Sequence, residues 1–346
     1  MRLLTLHQKN FRNLKSPRLT LPPGLTAVIG ENAAGKTNLL EAIYLGLGGE
    51  VRGPLADRVA FGEREAWLYL EGETALGRFS VEQRLGAGGR ALWLNQAPAS
   101  LKELAELPGA VWLRPEDLFI VKGAPEERRR FLDALLTRFS PRYRALLGAY
   151  ERALRQRNAA LKAGGRGIAP WSQRLAAYGE EILDLRRRVL TRLAPLADAV
   201  HRELGGGPLG LEPIETAPPG TLEAALARHL PEEVERGVTL FGPHRDDLRL
   251  CLGERDAVRF ASRGEARTVA LALRLAEHRL LTQHHDEAPL LLLDDVVAEL
   301  DPRRQATLLA YARALPQAVV TGTELPGEAA QVPPKSSTTW GVGARV

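Results

Sequence analysis

Residues 30–37, GENAAGKT, fit G-x-x-x-x-G-K-[ST] in full, a spacing that serves phosphate chemistry. Glycines let backbone N–H groups turn inward around phosphate oxygens, and a helix beginning just after them directs its positive end at the same point. On this reading Gly30, Glu31, Asn32, Ala33, Ala34, Gly35, Lys36 and Thr37 hold a nucleoside triphosphate, with Lys36 neutralising the β and γ phosphates and Thr37 placing its hydroxyl on Mg²⁺. A second run, LLLLDDVVAELD at 290–301, supplies the partner. A buried strand ending in two carboxylates puts Asp294 near the Mg²⁺ and Asp295 near the water that attacks the γ-phosphate. The predicted hydrolytic set is therefore Asp295, Lys36 and Asp294, with Thr37 and Asp294 as metal ligands. The plainer alternative is an acidic pair that only ends a strand.

A third stretch, FASRGEARTVALALRLAEHRLL, separates kinds of nucleotide-binding protein. Ser262 precedes a long amphipathic helix and Glu265 lies three residues on, a capping box. Ser262, Gly264 and the free N–H groups of a helix start also make an anion site suited to a γ-phosphate. The two readings are compatible.

These residues need a scaffold that places them. Short β-type runs open the chain at RLLTL, PRLTL and GLTAVIG, the last leading straight into the glycine loop. After Gly35 the spacing of Leu39, Leu40, Ile43, Tyr44 and Leu47 predicts a helix that stops at Gly48-Gly49. Residues 67–70, 78–85 and 91–95 alternate as a small antiparallel sheet does. From Pro125 the pattern is helical, with a second helical stretch over 171–204, a Gly- and Pro-rich loop over 205–220, and β-type runs at GVTLF from Gly237, at LRLCL from Leu248 and at Leu290. The layout is α/β: a discontinuous head of residues 1–114 and 235–346, with a mainly helical lobe inserted at 115–234. Residues 336–346 are either a closing edge strand through Trp340 and Val342 or an unstructured tail.

A chain of 346 residues, 45% hydrophobic, can bury a sizeable core. Its apolar runs are too short to span a membrane, its early basic residues break any secretory pattern, and its single cysteine excludes an internal disulfide. A cytoplasmic setting is the expectation. A net charge of +5 and a pI near 9.5 permit nucleic-acid binding without requiring it. Arg128 to Arg130, Arg152, Arg155, Arg157 and Arg186 to Arg188 are the candidate lining of a DNA groove, against the plainer reading of a solvated helical face. The His284-His285 pair and the lone histidines have no metal-ligand spacing, so only nucleotide-bound Mg²⁺ is expected.

Ser262-Arg263-Gly264-Glu265, one helix upstream of the acidic strand, resembles the signature motif of ABC-type ATPase heads, among them the SMC and Rad50 heads. Ala298 to Asp301 similarly resembles the D-loop that follows, with an N-cap before Pro302 as its structural counterpart. In that superfamily the signature of one head completes the nucleotide site of a second. The match narrows to the RecF family of bacterial recombination mediators: NFRNL at Asn10, GENAAGKTNLLEAIYL at Gly30, RPEDLFIVKGAPEERRRFLD at Arg114, GPHRDDL at Gly242, SRGEAR at Ser262 and LLLLDDVVAELD at Leu290 occur in order across nearly the whole chain.

The resemblance implies a homodimer formed on ATP, binding to double-stranded DNA at gaps and single-strand to double-strand junctions, and work with RecO and RecR in loading RecA. It also implies a role in DNA replication, repair, recombination and the SOS response, with a weak, DNA-stimulated, regulatory ATPase whose slow turnover times release. By carry-over, Arg12 and Asn13 contact nucleotide, and His244 and Arg245 lie near the head interface. Two positions depart from the pattern. Glu265 stands where ABC proteins and many RecF members have Gln, and Thr321 to Glu324 follows the strand at 318–320 where a switch histidine is usual. An SMC or Rad50 head needs a longer heptad insertion, and a zinc hook needs cysteines. A transporter ATPase subunit shares the nucleotide motifs but not GPHRDDL or NFRNL. A module that binds ATP without turning it over is opposed by the intact Asp294-Asp295 pair.

Overall fold

The computed structural model describes residues 1–14 and 18–323. The closing strand expected around Trp340, and Glu324, lie outside these. The chain forms two compact units, one of Met1–Asp117, Arg202–Gly206 and the region from Leu271 onward, the other of Leu118–His201 and Gly207–Ala270.

The first unit sandwiches one helix between two sheets. A six-stranded antiparallel sheet runs, in spatial order, Arg18–Thr20, Arg2–Lys9, Glu65–Thr74, Gly77–Gly86, Gly89–Leu94 and Ala97–Pro98. Alternation decides which face is buried: Leu68, Leu70, Val81 and Leu85 are sealed, while Trp67, Tyr69 and Glu82 between them are half-buried. A four-stranded sheet of Gly24–Ile29, Gln317–Gly322, Leu290–Leu293 and Ala110–Leu113 pairs in parallel throughout. Its strands read as continuous apolar runs, as strands covered on both faces must. The helix Lys36–Gly46 buries Leu40, Ile43 and Leu45 in the core shared with Leu70, Leu292 and Val319. Contact is close enough that a Cβ at Gly46 would come within 2.4 Å of the Leu70 side chain.

The parallel register brings the chemistry together. Leu293 pairs with Val320 and Leu113, and Ile29 with Gly322. The strand before the glycine loop and the strand before the acidic pair therefore end at the same edge, where ligands of open α/β sheets bind. Ala110–Leu113 was not foreseen, since four residues before an Arg-Pro step carry little pattern.

The second unit holds the helices Pro125–Phe139, Pro141–Lys162 and most of Ala169–Glu203, with a small antiparallel sheet of Leu209–Ile214, Asp247–Leu252 and Arg255–Asp256. Two expectations fail here. The predicted loop contains a strand, Leu209–Ile214, because that strand is an edge and Pro213 needs no ladder partner on its open side. GVTLF forms no strand. Its backbone is satisfied by side chains instead: Asn158 Oδ1 accepts from Thr239 N at 2.9 Å and Glu233 Oε1 from Leu240 N at 2.7 Å. Residues 235–270, expected with the head, fall in this unit.

The helix Arg263–His285 has its first turns in the second unit and its remainder in the first. Among the described residues no helix is long and apolar enough to cross a membrane.

Candidate nucleotide site

The glycine loop is built to receive an anion. Gly35, at φ 93, caps the helix Lys36–Gly46 in a left-handed conformation, and no side chain caps the helix start. A Cβ at Gly35 would lie 3.0 Å from Asn13 Oδ1, so a side chain is both strained and crowded there. Ala33 also holds a positive φ, 64, which turns the loop without a third glycine. The loop encloses a cavity of about 250 Å³ lined by Asn13, residues 32–38 and Asp295. Lys36 is only 4% exposed, and its Nζ donates to the carbonyls of Gly30 at 2.7 Å and Glu31 at 3.0 Å. The ammonium is thus held at the mouth of its own loop.

Across the loop, Thr37 Oγ1 donates to Asp294 Oδ1 at 3.0 Å. Asp294 is 2% exposed. Burial pushes its carboxyl up to about 6, the hydroxyls of Thr321 and Thr37 pull it back, and neighbouring Asp295 and Glu116 add to the rise. Burial disfavours the charged form of this carboxyl, and an opposite charge placed beside it would favour that form. Asp295 follows at φ 52, half-buried, and lines the cavity.

The family model for the RecF/RecN/SMC N-terminal domain matches residues 2–324. The DNA replication and repair protein RecF of Deinococcus radiodurans is 47% identical over 95% of this chain and 92% of its own length. This chain belongs to the RecF family. The RecF of Streptomyces avermitilis is 39% identical over 94% of this chain and 95% of its own. Among solved structures, the recombination mediator protein RecF-ATP in the RecFOR pathway superposes with a TM-score of 0.87 at 29% identity, covering 94% of this chain and 93% of that one. An Smc head domain from Pyrococcus furiosus, 17% identical over 94% of this chain and 90% of that one, shares the fold with a TM-score of 0.52. The α/β, SMC-type head expected from the motifs is the fold found.

The remaining RecF-like positions are placed as follows. Asn13 is at the loop: its Nδ2 donates to Ala33 O at 3.3 Å and its Oδ1 accepts from Asn38 at 2.7 Å. Arg12 is turned elsewhere, onto Glu41 of the following helix, with Nη2 to Oε1 at 3.1 Å and a closer Nε contact to Oε2. Glu41 also accepts from Arg58 Nε at 3.1 Å. Arg12 is not in the cavity wall. Asn38 and Glu41 were missed by the sequence reading, although both fall on the helix immediately after the motif.

Ser262 and Gly264 belong to the second unit, the cavity to the first. The capping box forms: Ser262 Oγ accepts from Glu265 N at 3.2 Å and Glu265 Oε2 from Ser262 N at 2.8 Å. These bonds, with that from Arg255, hold the Glu265 carboxyl below the usual range. Glu265 therefore supplies an anion of its own where the usual glutamine would be neutral. Asp301 caps the helix Pro302–Arg313 through Arg304 N at 3.1 Å, with Pro302 at the first helical position.

His244 and Arg245 act within the second unit. His244 Nδ1 lies 2.6 Å from Tyr150 Oη and Nε2 lies 3.2 Å from Thr239 O, while Arg245 Nε donates to the same carbonyl at 3.1 Å. GPHRDDL is a structural knot: Pro243 O accepts from Arg186 at 2.7 Å, Asp246 O from Arg129 at 2.7 Å, and Asp247 takes both forks of Arg128 at 2.6 and 2.8 Å.

These contacts correct the arginine groove. Arg128, Arg157 and Arg186 are buried and ion-paired with Asp247, Glu233 and Asp133. Arg187 is held by Glu215 at 2.6 Å. Arg130, Arg152, Arg155 and Arg188 are exposed, and of these Arg130 and Arg188 pair along their helices with Glu126 and Asp184. Helical spacing alone cannot separate a guanidinium that faces water from one that faces a buried carboxylate.

Proposed function

We propose that this chain is an ATP-dependent DNA-binding clamp of recombinational repair. Two copies close over ATP, the signature residues Ser262 and Gly264 of each completing the loop site of the other. The closed dimer binds duplex DNA at gaps and single-strand to double-strand junctions and works with RecO and RecR to promote RecA loading. The joined Thr37–Asp294–Asp295 edge beside the glycine loop carries this reading, because it supplies a metal seat and a hydrolytic carboxylate in one place. Membership of the RecF family supports the choice of DNA repair over transport, and the likeness to a RecF-ATP structure supports ATP as the nucleotide.

Thr37 and Asp294 would hold Mg²⁺, hard oxygen ligands of the type that ion prefers. When bound, it supplies charge neutralisation at the β and γ phosphates. The chain's own residues do the rest. Amides of residues 33–37 and Lys36 Nζ hold the phosphates, Asp295 orients the attacking water and accepts its proton on a carboxylate oxygen, and enclosure by the partner excludes bulk water.

Mass measured in solution with and without ATP tests the shared site. Wild type doubles its mass on ATP, Lys36→Ala does not, and Ser262→Ala binds ATP without dimerising. A wild-type chain that stays monomeric at saturating ATP and micromolar concentration overturns the proposal.

A further inference from the structure

The strand Gln317–Gly322 ends beside the acidic pair with a residue whose role the motifs do not assign. Thr321 is 2% exposed. Its strand pairs Val320 with Leu293 on one side and Thr321 with Val28 on the other. Thr321 therefore lies one residue beyond the last paired position of the acidic strand, level with the turn at 294–295. There its hydroxyl donates to Asp294 Oδ1 at 3.0 Å and accepts the backbone N–H of Asp295 at 3.0 Å, with Leu293 O farther off at 3.4 Å. A hydroxyl has one proton and two lone pairs, so the two shorter bonds form together.

Each bond fixes one carboxylate. Asp294 Oδ1 is held between two hydroxyls, those of Thr37 and Thr321. Asp295 has φ 52, an uncommon conformation for a residue with a Cβ. The bond from its amide to Thr321 ties down the backbone at that conformation, at a residue that lines the cavity.

We propose that Thr321 is a positioning residue for ATP hydrolysis, one hydroxyl setting the aim of Asp294 through its carboxylate and of Asp295 through its backbone. This rests on the reading of the acidic pair given above. Valine has nearly the same shape and suits a strand, but it leaves the Asp295 amide without its acceptor and Asp294 without one of its two donors.

The test compares wild type, Thr321→Val, Thr321→Ala, Thr321→Ser and Asp295→Ala. Thr321→Val turns over ATP about tenfold to a hundredfold more slowly, the scale of a small misplacement of a reacting group. Its affinity for ATP is unchanged, and in the ATP-free protein its Asp295 amide exchanges with deuterium faster than in wild type. Thr321→Ser restores both turnover and slow exchange. Thr321→Ala, which removes the hydroxyl without placing a methyl against Asp294, gives the same loss and covers a site that rejects valine. Wild-type turnover in the valine and alanine variants, with Asp295→Ala inactive, overturns the inference, as does failure of serine to rescue or loss of ATP affinity in step with turnover. Wild-type turnover in Asp295→Ala overturns the underlying reading instead.

Discussion

Thr37 Oγ1 and Asp294 Oδ1 lie 3.0 Å apart although 257 positions separate them in the chain. The hydroxyl comes from the first turn of the helix after the glycine loop, the carboxylate from the turn after Leu290–Leu293. One hydrogen bond thus joins distant segments of the first unit at the proposed seat of Mg²⁺. Thr37→Ala removes one of the two proposed ligands. Its affinity for ATP measured with Mg²⁺ falls toward the value measured with EDTA, while wild type shows a clear difference between the two conditions.

Asp295→Ala is expected to keep ATP binding and dimer formation and to lose hydrolysis by about 100-fold or more, the range of a positioned general base. Steady-state turnover together with ATP affinity checks this. Turnover equal to wild type removes Asp295 from the mechanism.

Arg157 and Glu233 are both 0% exposed and meet at 2.6 Å, with Thr239 and Ser172 satisfying the rest of the guanidinium at 2.9 and 3.0 Å. Arg157→Ala strands the buried Glu233 carboxylate and costs about 3–5 kcal/mol of stability. Denaturant unfolding measures it. Exposed Arg152→Ala and Arg155→Ala leave the midpoint nearly unchanged.

His244 gives the second unit a pH response with a definite sign. Burial is the main cause that takes its pKa from 6.5 down to about 4. The bond to Thr239 opposes this, and Arg245, Arg129 and Arg157 add to it. The folded state therefore holds fewer protons than the unfolded one between these values. Stability from this group is complete above about 6.5 and is lost as pH falls toward 4, to a limit on the order of 3 kcal/mol. Asp246, raised by burial, acts in the opposite direction, so the comparison must isolate His244. Relative to His244→Gln, wild type loses unfolding free energy across this window, and parallel curves for the two proteins would refute the assignment.

DNA affinity with ATP present is expected to fall steeply as salt rises, because phosphate contacts release counterions. Charge removal at exposed Arg130, Arg152, Arg155 and Arg188 tests which of them contribute: a contributor lowers affinity and reduces the salt slope by about 1. A flat salt response in wild type removes the phosphate-contact idea.

The sequence by itself determined the local chemistry. GENAAGKT specifies an anion-binding turn because glycine at Gly35 and a helix start at Lys36 are local requirements, and LLLLDD specifies a buried strand ending in carboxylates for the same reason. Ser262 and Glu265 satisfy each other across three residues, so their capping box was equally legible. Motif order across the chain was enough to place it in its family.

Only the tertiary structure decided which arginines are structural, because Arg128, Arg157 and Arg186 meet carboxylates 119, 76 and 53 positions away. It turned Arg12 onto Glu41, made GPHRDDL a knot of internal bonds, and set Thr321 against the acidic pair through the register of two parallel neighbours. Helix and turn signals act over a few residues, whereas strand register and buried ion pairs depend on distant segments arriving at one place. No spacing within a single stretch can encode that arrival.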